Sequence, residues 1–149
     1  MPVPPPMTAG VTTKGSSVEG LVWNILGQTY VPLQVCDSSF AWHATFPPGT
    51  FVPPHVHPMQ EEFIYMLGGR LDLVLDGQPA TADAGGLIRL PRAIPHGIFN
   101  NSGAEVTCVF WVSPTRRLWD LFLAINNVPD PVEVVRLAGL HEVNFLPPP

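Results

Sequence analysis

Between Val18 and Val112 the chain is written as short apolar runs, broken roughly every ten residues by Gly, Pro, Asn or Asp. That rhythm leaves no room for long helices and predicts an all-β sandwich or barrel. Leu71, Leu73 and Leu75 alternate with Asp72, Val74 and Asp76, as on a half-buried strand, and Asp76-Gly77 suits a hairpin turn. After Pro114 the pattern changes. Leu118, Leu121, Phe122 and Ile125 recur at helical spacing within Arg116 to Asn127. A second helix is expected from Asp130 as cap and Pro131 in the first turn, with Val134, Val135 and Leu137 buried and Gly139 as the stop. The expected organisation is a Pro-rich flexible segment over 1–17, a barrel over 18–114, and helices with a tail packed on the outside of the barrel over 115–149.

The chemistry concentrates at His55-Val56-His57, with Glu62 five residues later and His96 further on. Residues i and i+2 of a strand share a face, so His55 and His57 can chelate one ion, and the flanking Pro53, Pro54 and Pro58 push this stretch toward extended geometry. Three imidazoles and a carboxylate suit a divalent transition metal: iron, manganese, nickel, copper or zinc. Glu62 opens the strand-like run to Leu67. Glu61, on the opposite face by parity, is the rival ligand on local pattern alone. His96 starts an apolar run after the turn bracketed by Pro91 and Pro95.

The spacing Gly49, His55, His57, Glu62, Gly69 and then Gly85, Pro91, Ala93, His96, Asn100 resembles the two motifs of the cupin family. The chain departs from that pattern at Ala93, where the family commonly has Gly, and at Gly86, where an Asp often stands. The resemblance implies a double-stranded β-helix, or jelly-roll barrel, in which His55, His57, Glu62 and His96 hold one metal, and it selects Glu62 over Glu61. The tail Asn144-Phe145-Leu146-Pro147 is similar to that of small quercetin-dioxygenase-like cupins. That likeness implies a dioxygenase acting on an aromatic or enolisable molecule, with Glu62 doubling as catalytic base. The alternatives are a zinc-dependent cyclase or isomerase of polyketide-like substrates and a non-catalytic small-molecule-binding cupin.

By parity Ile64 and Met66 share the face of Glu62, and Ile98 shares that of His96, so these three are the expected apolar pocket wall. His43 and Arg89 are weighed as further site residues, with outward strand positions as the ordinary explanation. A net charge of −5 with seven Lys and Arg offers no footprint for nucleic acid or acidic lipid. No stretch approaches the roughly 18 apolar residues of a membrane span. The start lacks the pattern of a secretory signal, so a cytoplasmic location is expected. Expected partners are a small-molecule substrate, dioxygen for an oxygenase, and a second copy in a homodimer, given 46% hydrophobic residues to cover.

Overall fold

Buried and half-buried residues alternate without a break through Phe40–Phe46 and Val106–Ser113, the signature of strands with one face on a core. In the computed structural model, which describes residues 4–147, these two strands pair side by side at the centre of the larger of two antiparallel sheets. In chain order the strands are β1 (Trp23–Ile25), β2 (Gln28–Val35), β3 (Phe40–Phe46), β4 (Phe51–Val56), β5 (Glu61–Gly68) and β6 (Arg70–Leu75). They continue as β7 (Gln78–Asp83), β8 (Leu87–Leu90), β9 (His96–Phe99), β10 (Val106–Ser113) and β11 (Asn144–Phe145). One sheet runs β1-β2-β3-β10-β5-β8 and the other β11-β4-β9-β6-β7. The two layers enclose one apolar core, the expected jelly roll.

Residues 1–3 of the Pro-rich segment lie outside the described residues. From Pro4 onward the segment has no regular structure before Val18, and Thr12 donates its hydroxyl to the Leu33 carbonyl at 2.7 Å. Asp76 and Gly77 both adopt positive φ, the backbone of the expected β6–β7 hairpin turn. Gly69 is required twice over. Its φ is +83°, and a Cβ there would stand 2.8 Å from Val106 Cγ2 and 3.1 Å from the Glu105 carbonyl.

Ala93 adopts a φ of 65°, the left-handed region that the family meets with Gly at this position. Its backbone N–H donates to the His57 carbonyl at 3.0 Å, so the strained turn also anchors the metal-motif strand. Ala93→Gly is expected to raise stability by about 0.5–1 kcal/mol, the relief of left-handed strain less the extra chain entropy of Gly. A lowered denaturant midpoint would show that the turn carries no such strain.

The two helices are α1 (Leu118–Ile125) and α2 (Pro131–Gly139). α1 is two residues shorter at each end than the spacing predicts and buries Leu118, Trp119, Leu121, Phe122 and Ile125. α2 begins as expected, with Asp130 Oδ1 accepting from the Val132 N–H at 3.0 Å. Its buried face differs: Val134 and Ala138 are enclosed one helical turn apart, whereas Val135 is 42% exposed. Among the described residues no helix is long and apolar enough to cross a membrane.

Candidate metal centre

Val52 and His55 both point inward on β4, an interval of three that strict alternation forbids. The register against β9 shifts between Val52 and His55, a bulge at Pro53-Pro54 that turns His55 back to the interior. Gly97 makes room for it on the facing strand: a Cβ there would lie 3.1 Å from Pro54 Cγ and 2.9 Å from the Phe99 ring. His55 pairs with His96 across β4 and β9, and His57 follows the strand end. Glu62 comes from β5 in the opposite sheet, so the four side chains meet across the barrel interior.

His55, His57, Glu62 and His96 are all at most 4% exposed, and each offers a ligand atom within 4.8 Å of the others. Glu62 Oε1 lies 3.9 Å from His57 Nε2, and Oε2 lies 3.0 Å from His96 Nε2. Bonds of about 2 Å to a shared ion place neighbouring ligand atoms at such separations. Glu61, the rival by local pattern, is exposed on the outer face.

The hydrogen bonds behind the imidazoles decide which nitrogen faces inward. His55 Nδ1 is 2.8 Å from the Pro53 carbonyl and His96 Nδ1 is 3.1 Å from the Ile94 carbonyl. A carbonyl only accepts, so each Nδ1 carries the proton and each Nε2 presents a lone pair in the neutral ring. His57 Nδ1 faces Gln60 Oε1 at 2.8 Å. The Gln60 amide cannot be reversed, because its nitrogen donates to the carbonyls of Pro114 at 3.0 Å and Thr115 at 2.7 Å. All three Nε2 atoms are thereby aimed at one point.

His96 Nε2 and Glu62 Oε2, despite their 3.0 Å approach, are buried without a well-formed hydrogen bond. A lone pair facing a carboxylate oxygen is unfavourable unless a positive species sits between them. This donor set could hold one divalent metal ion, with oxygen and nitrogen ligands from both sheets.

Burial pushes the His55 and His57 imidazoles below their ordinary 6.5, and the His96 imidazole pushes both the same way. Burial also disfavours the Glu62 carboxylate, yet the surrounding imidazoles, His57 foremost, outweigh it and hold the carboxyl down at about 2. Each group therefore binds protons more readily in the unfolded chain. Between pH 8 and 6.5 metal-free protein is expected to hold its stability, and to lose it as pH falls further, first through His55 and His57 below 6.5 and then through Glu62 below 4.5. Thermal melts of chelator-treated protein from pH 8 to 4 check this. A melting temperature that rose on acidification would contradict it.

Three of these residues, His55, His57 and Glu62, form the polar floor of a cavity of about 50 Å³. Its walls are apolar and aromatic: Tyr30, Trp42 and Phe110 from the large sheet, Phe122 from α1, and Phe145 from β11. Both helices contribute, with Leu118, Leu121, Val134 and Ala138 among the lining. Side chains of both helices thus line the same cavity as His55, His57 and Glu62. β11 pairs with β4 at His55, and the Phe145 ring stands 5.1 Å from the His55 imidazole.

Of the expected wall residues, Ile98 lines the cavity, but Ile64 and Met66 do not. Both point inward and are fully buried, deeper along β5 in the core, because parity gives the face of a strand and not the depth along it. His43 and Arg89 take outward strand positions. Gln60, Tyr30 and Trp42 were not anticipated. Gln60 was legible in principle only from its place between His57 and Glu62.

A cupin-domain family profile matches residues 42–113. The chain is 38% identical over 79 residues to "Polyketide synthase CurC" of Streptomyces cyaneus, covering 52% of this chain and 50% of that protein. It is 31% identical over 84 residues to "Protein SchB" of Streptomyces halstedii, covering 56% and 61%. The chain therefore spans about half to three fifths of the length of the curated relatives it matches. Among solved structures it is similar to an RmlC-like cupin from Shewanella frigidimarina, with a TM-score of 0.62 at 20% identity, covering 73% of this chain and 97% of that one. Profile, fold and the spacing of His55, His57, Glu62 and His96 agree: residues 42–113 are a cupin domain.

Proposed function

We propose that this cupin-domain protein is a metal-dependent cyclase or isomerase acting on enolisable, polyketide-like molecules. The observation that carries the reading is a cluster of three imidazoles and one carboxylate, of which His55, His57 and Glu62 form the floor of an otherwise apolar, aromatic-walled cavity. Similarity to a protein named as a polyketide synthase supports this substrate class over the flavonol-type dioxygenase substrate that the tail suggested. His55, His57, His96 and Glu62 would hold the ion, with zinc preferred for chemistry that consumes no oxygen. Such an ion supplies Lewis acidity to a substrate carbonyl.

The chain's own groups do the rest. Glu62, the one carboxylate of the cluster, is the natural acceptor for a proton from carbon between two carbonyls. Tyr30, Trp42, Phe110 and Phe122 exclude water and give a flat conjugated body its contact surface. A space of about 50 Å³ is far below the roughly 300–1,000 Å³ of small-molecule sites, so entry requires α1 or α2 to move outward. The exposed Tyr65, Leu67 and Leu87 support pairing of two copies through the outer face of the large sheet. Sedimentation at monomer mass would remove that part of the reading.

The test is anaerobic incubation of zinc-loaded protein with aromatic β-polyketones, following cyclised or isomerised product by mass. Turnover without oxygen is the expected result. Product formation only with stoichiometric oxygen uptake would restore the dioxygenase reading, and retained metal without turnover would favour a binding role. Gln60 offers a second check. Gln60→Leu removes the acceptor that orients His57, and metal affinity is expected to fall about 10–100-fold, measured by chelator competition. An unchanged affinity would mean that His57 is held by packing alone.

A further inference from the structure

The cavity wall carries a buried hydrogen-bond donor with no acceptor. Trp42 is 1% exposed and lines the cavity, and its indole Nε1 is buried without a partner among the described residues. Trp23 also has an unpartnered indole nitrogen, but it does not line the cavity. The Trp42 ring is not free to turn. Phe110 stacks on it with centroids 5.1 Å apart and 18° between planes, and Phe122 meets it edge-on at 5.0 Å. An unpaired buried N–H is unfavourable, and a donor held this way in a cavity wall is completed by whatever enters the cavity.

Beside it stands Tyr30, with ring centroids 5.9 Å apart. The Tyr30 hydroxyl donates to Gln28 Oε1 at 2.8 Å, and Gln28 Nε2 donates to the Leu26 carbonyl at 3.3 Å. Its proton committed to Gln28, Tyr30 has only acceptor capacity left. An indole N–H can only donate. One wall thus combines a lone donor with a lone acceptor, apart from the polar floor of His55, His57 and Glu62.

We infer that Trp42 Nε1, flanked by the Tyr30–Gln28 pair, is a substrate-positioning donor for a neutral carbonyl or enol oxygen, a second anchor point away from His55, His57, Glu62 and His96. The inference rests on the proposed function for its ligand class. A flat oxygenated molecule held at both points has one orientation, which selects the carbon that faces Glu62. Anions are disfavoured here, since the wall offers no cation and the Glu62 carboxylate faces the same cavity.

The experiment uses zinc-loaded protein labelled with ¹⁵N at tryptophan, and two probes of one shape: 2-acetylnaphthalene and its hydrocarbon isostere 2-isopropenylnaphthalene. Trp42→Phe keeps the aromatic stack, removes the N–H and assigns its resonance. The ketone is expected to move the Trp42 indole proton downfield while the hydrocarbon leaves it in place. Trp42→Phe is expected to bind the ketone about three- to tenfold more weakly and the hydrocarbon as before. Equal responses to the two probes, unchanged ketone affinity in Trp42→Phe, or no binding of either probe overturns the inference. Should Trp42→Phe not fold, the difference between the probes in the unsubstituted protein decides the matter. Failure of the cyclase reading shows separately, as absent turnover with the ketone-specific shift intact.

Discussion

Glu62→Gln is expected to weaken binding of zinc or another divalent ion by more than about 100-fold, since loss of an outer partner alone costs 10–100-fold and Glu62 would contact the ion itself. The substitution keeps the shape of the side chain and removes its charge. Glu62 is the one carboxylate on the cavity floor, facing His57 Nε2 at 3.9 Å and His96 Nε2 at 3.0 Å. Without it the ion would keep its double charge in a nearly water-free pocket, which is strongly unfavourable. The three Nε2 atoms would still converge, because their orientation comes from Pro53, Gln60 and Ile94 and owes nothing to Glu62. Metal per chain after dialysis against a weak chelator is the measurement. Stoichiometric metal with unaltered turnover would exclude Glu62 both as a required ligand and as the base.

The cluster of His55, His57, Glu62 and His96 was readable because it lies in two short local patterns, brought to the barrel interior by strand alternation, the Pro53-Pro54 bulge and turns at Gly, Pro or Ala93. The alternation of Leu71, Leu73 and Leu75 and the Asp76-Gly77 turn were equally local, and the structure contains both. Long-range placement is what the pattern does not hold. Nothing in Asn144-Phe145 states that it pairs with β4 at His55, almost 90 residues earlier. Such pairing depends on where α1 and α2 leave the chain end. The helices show the same limit. Their apolar spacing predicts a buried face but not the surface it meets, and that surface is the cavity mouth as well as the core. Ile64 and Met66 face inward as parity gives but lie outside the cavity lining, whereas the Pro53-Pro54 bulge breaks parity and returns His55 to the interior.

Phe122→Ala is expected to destabilise the protein by about 3–5 kcal/mol, lowering the melting temperature by roughly 10 °C for a chain of this size. Phe122 is where α1 docks. Its ring lies 5.0 Å from Trp42, 5.3 Å from Tyr30, 5.6 Å from Trp23 and 5.7 Å from Phe40, so truncation leaves four aromatic neighbours facing a void. A helix resting on the outer surface would give a much smaller cost, within about 0.5 kcal/mol for an ordinary exposed position. The effect should also be selective. No ligand-bearing residue sits on α1, so the Phe122→Ala protein is expected to keep its metal at temperatures where it is folded, in contrast to Glu62→Gln. Because the lost ring lines the cavity, the variant should accept bulkier ligands than the parent, measurable as tighter binding of a three-ring ketone relative to a two-ring one. Loss of metal together with stability would instead tie α1 to the ligand geometry itself, through the Thr115 carbonyl just before α1 that fixes Gln60 and with it His57.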